Sequence, residues 1–380
     1  MKMILSDKHL KFREKVRQFA DEVVAPRAIE LDLNSEFPHD LVKKMGKMGL
    51  YGLYVPEKFG GSGKDTLSYA IAVEEVSRAC GSTGIFLAAH TSLAVSPIYL
   101  AGNEFQKQKW LIPLAKGEKI GSFGLTEPNA GSDASGTRTI AKLVNDEYII
   151  NGDKCFITSG HVSDIIVITA TKDPSLGYKG ISAFVVEKGT PGFSPGKEED
   201  KLGLRGSITS ELIFEDCKIP KENLLGKEGD GFKIFMQTLD GGRISIGALA
   251  LGIAQGALEH TIKFVRANTI SGKPLYKEQS IQSKIAEIGT EIEAARLLIY
   301  QAAELKDAGK PLTKVAAMGK YYASLIGMKA TNTAIEIHGM LGLTKKYPVE
   351  RFIRDEKLME IGEGTSEIQK IVIAREILGK

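Results

Sequence analysis

The chain is poor in the residues that build disulfide frameworks and metal sites. It has three cysteines among 380 residues, Cys80, Cys155 and Cys217, and they lie far apart. Because they are few and odd in number, they fit neither a disulfide framework nor a zinc knuckle, and a reducing compartment is the simplest inference. The six histidines are scattered without an HExxH pair, so no metal site is expected.

The chain also lacks a large excess of charge of one sign and long apolar runs. The formal net charge is +3, which gives no reason to expect nucleic acid or a membrane surface as a partner. No stretch approaches the ~18 apolar residues of a membrane span, and the first residues lack the apolar core of a signal peptide. We therefore expect a cytoplasmic protein without membrane insertion. With 43% hydrophobic and 26% charged residues, the composition is typical of globular proteins and excludes disordered and fibrous classes.

Two common nucleotide-binding motifs are missing. The segment GGSGKD at 60–65 resembles a phosphate-binding loop, but Lys58 and Asp65 stand where the Walker pattern needs glycine and then serine or threonine. No G-x-G-x-x-G follows a strand pattern and opens a helix, so a Rossmann nicotinamide site has no support. Neither motif can therefore be the basis of function.

The first 120 residues have the apolar spacing of helices. An apolar stripe at steps of three and four is formed by Phe12, Val16, Phe19 and Val23. Pro26 follows this stripe and is expected to mark the end of the helix. The segments 66–80 and 104–116 continue the helical pattern, with a break expected at Pro113. We predict an N-terminal helical domain over residues 1–120.

Residues 121–230 change to a strand pattern. Short β-branched segments bounded by Gly, Pro or Asp, among them DIIVITA, ISAFVVE and SELIFEDCKIP, are accompanied by turn signals at Asn145-Asp146 and Asn151-Gly152. Strands that follow one another without intervening helices favour antiparallel pairing over βαβ units. We predict a middle domain built as an antiparallel β-barrel or sandwich.

Residues 231–380 return to helix in long segments. Two apolar stripes run through them, one of Ile285, Ile288, Ile292, Ala295, Ile299, Ala302 and Leu305, the other of Val315, Met318, Tyr322, Leu325, Met328, Asn332, Ile335 and Gly339. Several long helices joined by short loops predict a C-terminal four-helix bundle. The predicted fold class is mainly α, with a β domain between two helical parts.

Two segments carry residues suited to chemistry, and the first is GSFGLTEPNAGSDASG at 121–136. It mixes Gly, Ser, Thr, Asn, Asp and Pro where helix gives way to strand. Its free backbone N–H groups and hydroxyls can donate hydrogen bonds to a planar heterocycle or a carbonyl. The alternative is an ordinary connection, and composition alone leaves both interpretations open.

The second segment, IGEGTSEIQ at 361–369, places Glu363 between two glycines just before a helical pattern. Thr365 or Ser366 can cap that helix, and the positive end of its dipole favours an ionised carboxylate unless burial opposes it. Glu363 can be a base that a loop points at a substrate, or a solvated residue in a turn between two helices. The local pattern does not decide between them.

Five ordered segments together resemble the acyl-CoA dehydrogenase family, and its short-chain, butyryl-CoA type members in particular. They are LTEPNAGSDASG, GDKCFITSG, ELIFEDCKIPKENLLGKEGDGF, TLDGGRISIGALALGIAQGALE and RDEKLMEIGEGTSEIQKIVIARE. The resemblance runs over nearly the whole chain. It implies an FAD enzyme that removes an α-proton and a β-hydride from an acyl-CoA thioester, or runs in reverse as an enoyl-CoA reductase. It also implies an electron-transferring flavoprotein as redox partner and a homotetramer.

The resemblance implies roles for individual residues, with Glu363 as the catalytic base. The implied flavin contacts are Phe123, Leu125, Thr126, Gly131, Ser132, Phe156, Ile157, Thr158, Thr365 and Glu367, with Gln279 as a further match. The implied substrate contacts are Ser132, Asp240, Arg243 and Gly364. The family usually has tryptophan where Phe156 stands, and phenylalanine keeps a stacking face for the flavin.

Several positions depart from the family pattern around the FAD diphosphate. Where the family commonly has Arg-x-Gln-Phe-Gly across a subunit interface, this chain has NTISG at 268–272, beginning with Asn268. Glu336 replaces a glutamine, and Gly362 stands where a tyrosine is common. The changes at Asn268 and Glu336 remove positive charge and add negative charge. The alternative to an enzyme is therefore a non-catalytic acyl-CoA-binding relative with lost or altered FAD binding.

Overall fold

The computed structural model describes residues 5–379 and has a β-sheet between two helical regions. The N-terminal region comprises α1 (Asp7–Phe19), a π turn (Ala20–Val24), a 3-10 turn (Ala25–Arg27), α2 (Ala28–Asn34), α3 (His39–Lys47), a 3-10 turn (Glu57–Phe59), α4 (Thr66–Ala79), α5 (Gly81–Ala89), a second π turn (His90–Val95), α6 (Ser96–Ala101), α7 (Glu104–Gln106), a third π turn (Lys107–Leu111) and α8 (Ile112–Lys116). The predicted order of helical, β and helical parts is confirmed.

Three prolines lie inside continuous helical segments. Pro26, Pro97 and Pro113 each stand two residues after the end of a π turn. Proline lacks an N–H donor, and in a regular α-helix its ring clashes with the carbonyl four residues back. Here that carbonyl belongs to the wider π turn, where the hydrogen-bond register has already shifted by one residue. The predicted breaks at Pro26 and Pro113 are therefore wrong, because the helical path continues through both.

The β region forms one eight-stranded sheet. Its strands are β1 (Gly121–Gly124), β2 (Ile140–Val144), β3 (Glu147–Thr158), β4 (Ile165–Thr171), β5 (Ile181–Glu187), β6 (Phe193–Glu198), β7 (Thr209–Pro220) and β8 (Leu224–Leu225), with 3-10 turns at Ala134–Gly136, Pro174–Gly180 and Lys221–Asn223. The hydrogen-bonded order is β6-β7-β3-β2-β4-β5-β8, with β1 beside β4. The pairing is antiparallel as predicted, except that β1 and the first residue of β2 pair with β4 in parallel.

The two predicted turns of this region have different outcomes. Asn145-Asp146 connects β2 to β3, and Asn145 adopts the left-handed backbone (φ 57°) that a two-residue hairpin needs. Asn151-Gly152 lies inside β3, where the register with β7 shifts. The Asn151 amide exchanges two hydrogen bonds with Asp216 of β7, so this site is a β-bulge. The prediction of a turn at Asn151-Gly152 is wrong.

The C-terminal region has three long helices and two shorter ones. They are α9 (Gly231–Ala267), α10 (Gln279–Asp307), α11 (Thr313–His338), α12 (Val349–Glu356) and α13 (Ser366–Leu378), with 3-10 turns at Leu275–Lys277, Gly339–Leu343 and Lys357–Glu360 and a small hairpin of β9 (Thr269–Ile270) and β10 (Lys273–Pro274). The apolar stripe predicted on α10 is buried at most of its positions.

The buried face of α11 differs from the predicted stripe. Leu325 and Asn332, which belong to that stripe, are exposed. The buried face is instead rich in small residues, including Ala316, Ala323 and Ala330. Small side chains let α9 and α11 approach closely, so the packed face is chosen by size as well as by hydrophobicity. The prediction that this stripe forms the buried face of α11 is therefore wrong.

The largest hydrophobic core joins α4, α5, α9, α10 and α11. The helical stretch Gly81–Ala101 is long and apolar enough to cross a membrane by composition, but 72% of its apolar window is buried inside the protein. It is therefore a core helix of this fold. All three cysteines are buried and free.

Candidate active site

Glu363 lies in a tight turn between the 3-10 turn Lys357–Glu360 and α13. Its backbone is left-handed (φ 52°), and Gly364 after it has φ 95°. Non-glycine residues rarely adopt this region, so the surrounding structure holds Glu363 against its local preference. The Thr365 hydroxyl accepts a hydrogen bond from the Ile368 N–H (3.3 Å) and caps α13. The cap leaves Glu363 outside the helix, free to point elsewhere.

The Glu363 side chain points inward, toward α9. A Cβ placed on Gly242 of α9 would overlap its Oε2 atom. This oxygen is buried and has no hydrogen-bond partner among the residues that the structure describes. Burial raises the pKa of the Glu363 carboxyl to about 7, although the positive charges of Lys320 and Arg243 oppose the rise. The solvated-turn interpretation therefore does not hold for this carboxylate.

Groups from two helices surround this carboxylate. Arg243 of α9 is buried and forms an ion pair with Asp240, one turn earlier. Burial lowers the pKa of Arg243, against the attraction of Asp240 and Glu363. From α11, the Lys320 ammonium donates a hydrogen bond to the Gly364 carbonyl oxygen (2.7 Å). Of the predicted substrate residues, Arg243 and Gly364 thus lie close to Glu363, and Asp240 is linked to it through Arg243.

The predicted flavin loop follows β1 and is anchored at its start. Phe123 stacks on Phe235 of α9, with ring centroids 4.1 Å apart. The Thr126 carbonyl accepts a hydrogen bond from the Cys155 N–H of β3 (2.9 Å). The far end of the loop is exposed at 131–133, and nothing lies within 4 Å of a Cβ placed on Gly131. The loop therefore offers an open backbone beside the sheet, as a planar ligand requires.

A buried ion pair beneath this loop was missed by the sequence interpretation. Lys154 of β3 is fully buried, and its Nζ lies 2.7 Å from Oε1 of Glu127 in the loop. Nζ also donates to Thr169 Oγ1 (3.1 Å), while Glu127 accepts the backbone N–H groups of Arg138 (2.6 Å) and Thr139 (3.1 Å). Burial lowers the pKa of Lys154 to about 8, although Glu127 opposes the fall. The pair ties both ends of the loop to the sheet.

Breaking this ion pair from one side should destabilise the protein strongly. In Lys154→Met, Glu127 keeps its backbone donors but loses its buried countercharge, and we expect the free energy of unfolding to fall by about 3 kcal/mol. Urea unfolding at neutral pH measures the change. Lys221→Met removes a surface ion pair with Asp146 and is the matched control, with a midpoint near that of the wild type. A wild-type midpoint in Lys154→Met would contradict the anchoring role.

The strand predicted to back the flavin ring ends in an unusual conformation. Phe156 has a left-handed backbone (φ 57°) at a bulge in β3, and it is 66% exposed. This conformation is rare for a bulky residue and is typical of functional sites. Ile157 beside it is buried, and Thr158 ends the strand. An aromatic face held open near the end of β3 is a suitable platform for a flat ring.

The π turn His90–Val95 connects the flavin loop to the carboxylate. On one side of the turn, Leu93 lies 3.4 Å from a Cβ placed on Gly242. On the other side, the His90 ring accepts a hydrogen bond from the Gly121 N–H at the start of β1 (3.1 Å). The flavin loop and the buried carboxylate therefore flank the same π turn and the same helix, α9.

One predicted flavin residue, Gln279, lies far from this site within the chain. It is the first residue of α10, whose 29 residues span about 43 Å. Lys306 stands at the opposite end of α10, and its Nζ lies 2.8 Å from a Cβ placed on Gly241, next to Gly242. Gln279 is therefore about a helix length away from Glu363. Ser132 and Glu367 are exposed, and Thr365 is half-buried.

The charge departures near Gln279 are partly compensated. Glu336 forms an ion pair with Lys284 of α10 (2.7 Å) and accepts a hydrogen bond from Asn332 (2.9 Å). The Lys284 hydrogen bond lowers the pKa of this exposed carboxylate, so it is ionised and paired. The Asn268 side chain donates to the Phe264 carbonyl at the end of α9 (2.8 Å). The negative charge added by Glu336 is therefore accompanied by a lysine.

Three functional candidates had weak signals in the sequence. Lys320 and Glu127 are each single charged residues within apolar or small-residue segments, such as AAMGKYYAS around Lys320, and Lys154 follows Asp153 in GDKCFITSG. Such a residue is normally exposed unless it is paired. The pattern could have flagged them as buried charges, but it could not have identified their partners, which come from distant parts of the chain.

Family models for three domains match most of the chain. The N-terminal domain of acyl-CoA dehydrogenase matches residues 6–118, the middle domain 122–217 and the C-terminal domain 229–378. A short-chain specific acyl-CoA dehydrogenase of Clostridium acetobutylicum is 53% identical over 365 residues, which covers 96% of each chain.

Solved structures agree with these matches. Butyryl-CoA dehydrogenase from Megasphaera elsdenii is 46% identical, with a TM-score of 0.98 and 100% of both chains covered. A chain from the structural work on the electron transferring flavoprotein of Acidaminococcus fermentans and flavin-based electron bifurcation is 49% identical, with a TM-score of 0.99 and the same full coverage. The predicted family, fold, enzyme class and FAD cofactor are confirmed. The chain belongs to the acyl-CoA dehydrogenase family of FAD-dependent oxidoreductases.

Proposed function

We propose that Glu363 removes the α-proton of a short-chain acyl-CoA thioester while the β-hydrogen leaves as hydride. The observation that carries this proposal is the Oε2 atom of Glu363, which is buried without a partner among the described residues and faces Gly242. Its carboxyl pKa of about 7 makes it a stronger base than a solvated carboxylate. A strongly perturbed, unpaired carboxylate in a cleft is typical of a catalytic group.

The chemistry requires this strength because the α-C–H of a thioester is a very weak acid. When the α-proton moves to Oε2, its bonding electrons form the α,β double bond, and the β-hydrogen departs with its own electron pair. The thioester carbonyl must be polarised during this step, since charge develops on its oxygen. We infer that the Glu363 backbone N–H is one of the donors. The left-handed turn at Glu363 and Gly364 allows backbone and carboxylate to approach the substrate together.

The residues present fit FAD as the cofactor, which supplies the hydride acceptor. The exposed Phe156 ring, held in a left-handed backbone, would face the isoalloxazine. The loop residues Thr126 and Ser132, with Thr158 of β3, would provide polar contacts from one side. Thr365 and Glu367 at the start of α13 would provide them from the other. The buried pair below the loop keeps the first of these surfaces rigid.

We infer that a second subunit completes each FAD site, as the homotetramer implied by the resemblance would allow. Gln279 supports this inference because it lies at the far end of a 29-residue helix from the site of its own chain. FAD cannot reach both ends of a helix of about 43 Å and also place its ring beside Glu363. In an antiparallel arrangement of two copies, Gln279 of one copy would approach the FAD of the other.

Similarity to short-chain relatives supports the substrate class, and the matched chain from the electron transferring flavoprotein work supports that flavoprotein as redox partner. The same base and hydride positions serve enoyl-CoA reduction when the redox partner donates electrons to the flavin. We therefore infer that the redox partner sets the direction of the reaction. We propose a cytoplasmic location on the basis of the sequence features alone.

An anaerobic titration of the purified holoenzyme with butyryl-CoA tests the proposal. We expect the visible absorption of the flavin to bleach as the corresponding enoyl-CoA forms. Bound FAD that stays oxidised, or protein that cannot be loaded with FAD, would contradict the enzyme and support the non-catalytic acyl-CoA-binding relative. Crotonyl-CoA added to the reduced enzyme tests the reverse reaction, because its reduction would restore the absorption of the oxidised flavin.

A further inference from the structure

Lys320 is a fully buried cation that the proposed reaction does not itself require. Its relative exposure is 0%, on the face of α11 that packs against α9. Burying an ammonium group is costly unless something compensates it. Its Nζ donates a hydrogen bond of 2.7 Å to the carbonyl oxygen of Gly364, the residue that follows Glu363 in the chain. Gln369 of α13 donates to the same oxygen at 2.9 Å, so two helices hold this carbonyl.

We propose that Lys320 is a positioning residue for Glu363: it fixes the turn through the Gly364 carbonyl and holds a positive charge beside the base. The inference rests on the function proposed above. Lys320 binds the backbone beside the base and leaves the carboxylate oxygen free. Oε2 of Glu363 accepts no hydrogen bond from Lys320 or from any other described residue, so its lone pair remains available to a substrate proton.

The other carboxyl groups near Lys320 attract its ammonium less strongly than Glu363 does. Glu360 has its own cation, Lys357, at 2.5 Å. Glu356 is fully buried, and neither of its oxygens has a hydrogen-bond partner within the described part of the chain. Burial raises the pKa of Glu356 well above its ordinary range, against the opposing attraction of Lys320. Of the carboxyl groups that attract the Lys320 ammonium, Glu363 does so most strongly, followed by Glu356 and Glu360.

The other groups that face Glu363 do not replace Lys320. Arg243 of α9 is the second nearby cation, but it is paired with Asp240. Tyr69 of α4 also faces Glu363, and burial raises the pKa of its hydroxyl well above the usual range, so it is neutral. Burial lowers the pKa of Lys320 itself to about 8, which leaves it mainly protonated at neutral pH. Arg243 thus has a carboxylate partner of its own, whereas Lys320 forms no ion pair among the described residues. Removing Lys320 therefore removes the unpaired positive charge beside the base.

The test is the pH dependence of flavin reduction in the holoenzyme at low butyryl-CoA. The wild-type rate should rise with pH through a midpoint near the Glu363 pKa of about 7, because the ionised form is the base. Lys320→Met removes a charge that lowers this pKa, so its midpoint should move upward by about one pH unit. Near pH 7 the rate should then fall by about fivefold to tenfold. Lys320→Gln removes the same charge, keeps a donor and should show the same displacement.

Two variants separate charge from other effects. Gln369→Leu removes the neutral donor to the Gly364 carbonyl, so it should lower the plateau rate without moving the midpoint. Lys329→Met removes a half-buried lysine of the same helix, paired with Glu287 and Glu291, and should keep the wild-type profile. Lys320→Arg keeps the charge and should restore the wild-type midpoint.

The outcomes for Lys320 and for the proposed function are distinguishable. A midpoint that stays in place in folded Lys320→Met and Lys320→Gln, while wild-type flavin still bleaches, would overturn the positioning role alone. A wild-type flavin that butyryl-CoA does not bleach would overturn the proposed function. Circular dichroism shows whether Lys320→Met and Lys320→Gln are folded. If only one of them folds, its pH midpoint is sufficient to test the positioning role.

Discussion

Glu363→Gln is expected to retain FAD and to slow its reduction by butyryl-CoA by at least about 10²–10⁴-fold, the range typical of losing a general base. The glutamine amide has nearly the shape of the carboxylate but cannot accept the α-proton. Oε2 of Glu363 has no hydrogen-bond partner among the described residues, so the substitution breaks no hydrogen bond at this oxygen. The variant should therefore fold like the wild type.

Anaerobic stopped-flow absorbance measures this effect in a single turnover. Glu376→Gln is the matched control, because Glu376 is an exposed residue of the same C-terminal helix beside Arg375. We expect the control to reduce its flavin at the wild-type rate. If Glu363→Gln bleached as fast as this control, the base would lie elsewhere in the chain.

Gly242→Ala is expected to reduce the same rate by about 10²-fold, as a displacement of about 1 Å can do. The new methyl group would overlap Oε2 of Glu363. The carboxylate is the far end of a flexible side chain, so it should rotate away while the backbone of α9 stays in place. Alanine also favours the helix over glycine by about 1 kcal/mol. The variant should therefore lose activity without losing stability.

Gly241→Ala adds the same methyl group one residue earlier and is the matched control. Its Cβ would lie 2.8 Å from Lys306 Nζ, which is also the end of a flexible side chain, but away from Glu363. We expect a rate within a few-fold of the wild type and a thermal midpoint close to that of Gly242→Ala. Equal losses in both variants would show that crowding of α9, and not displacement of the carboxylate, is responsible.

The architecture could be predicted because the signals for it are local. The apolar period changes from that of a helix to that of a strand near residue 121 and back near residue 230, and neighbouring residues suffice to show it. The errors arose where tertiary contacts override local rules. Pro113 continues a helix because a π turn precedes it, and Asn151-Gly152 is a bulge because β7 pairs on both sides of it.

The site was less predictable, since its properties depend on residues that are distant in sequence. Local physics left Glu363 between a base and a solvated turn, and the ordered motifs of the family favoured the base. The structure adds the reason for its raised pKa, namely burial against Gly242 of α9. No sequence pattern could show that Lys320 reaches the carbonyl beside it, or that Gln279 stands a helix length away.

The central claim is that burial makes Glu363 a base of near-neutral pKa, and the pH profile of the wild-type holoenzyme tests it most directly. The measurement is the second-order rate of flavin reduction by butyryl-CoA, which reports the free enzyme. Below the Glu363 pKa of about 7 the carboxyl group is protonated, so we predict a rate that falls about tenfold per pH unit there and levels above it. A flat profile between about pH 5.5 and 8.5, or the same limb in the residual activity of Glu363→Gln, would contradict the account.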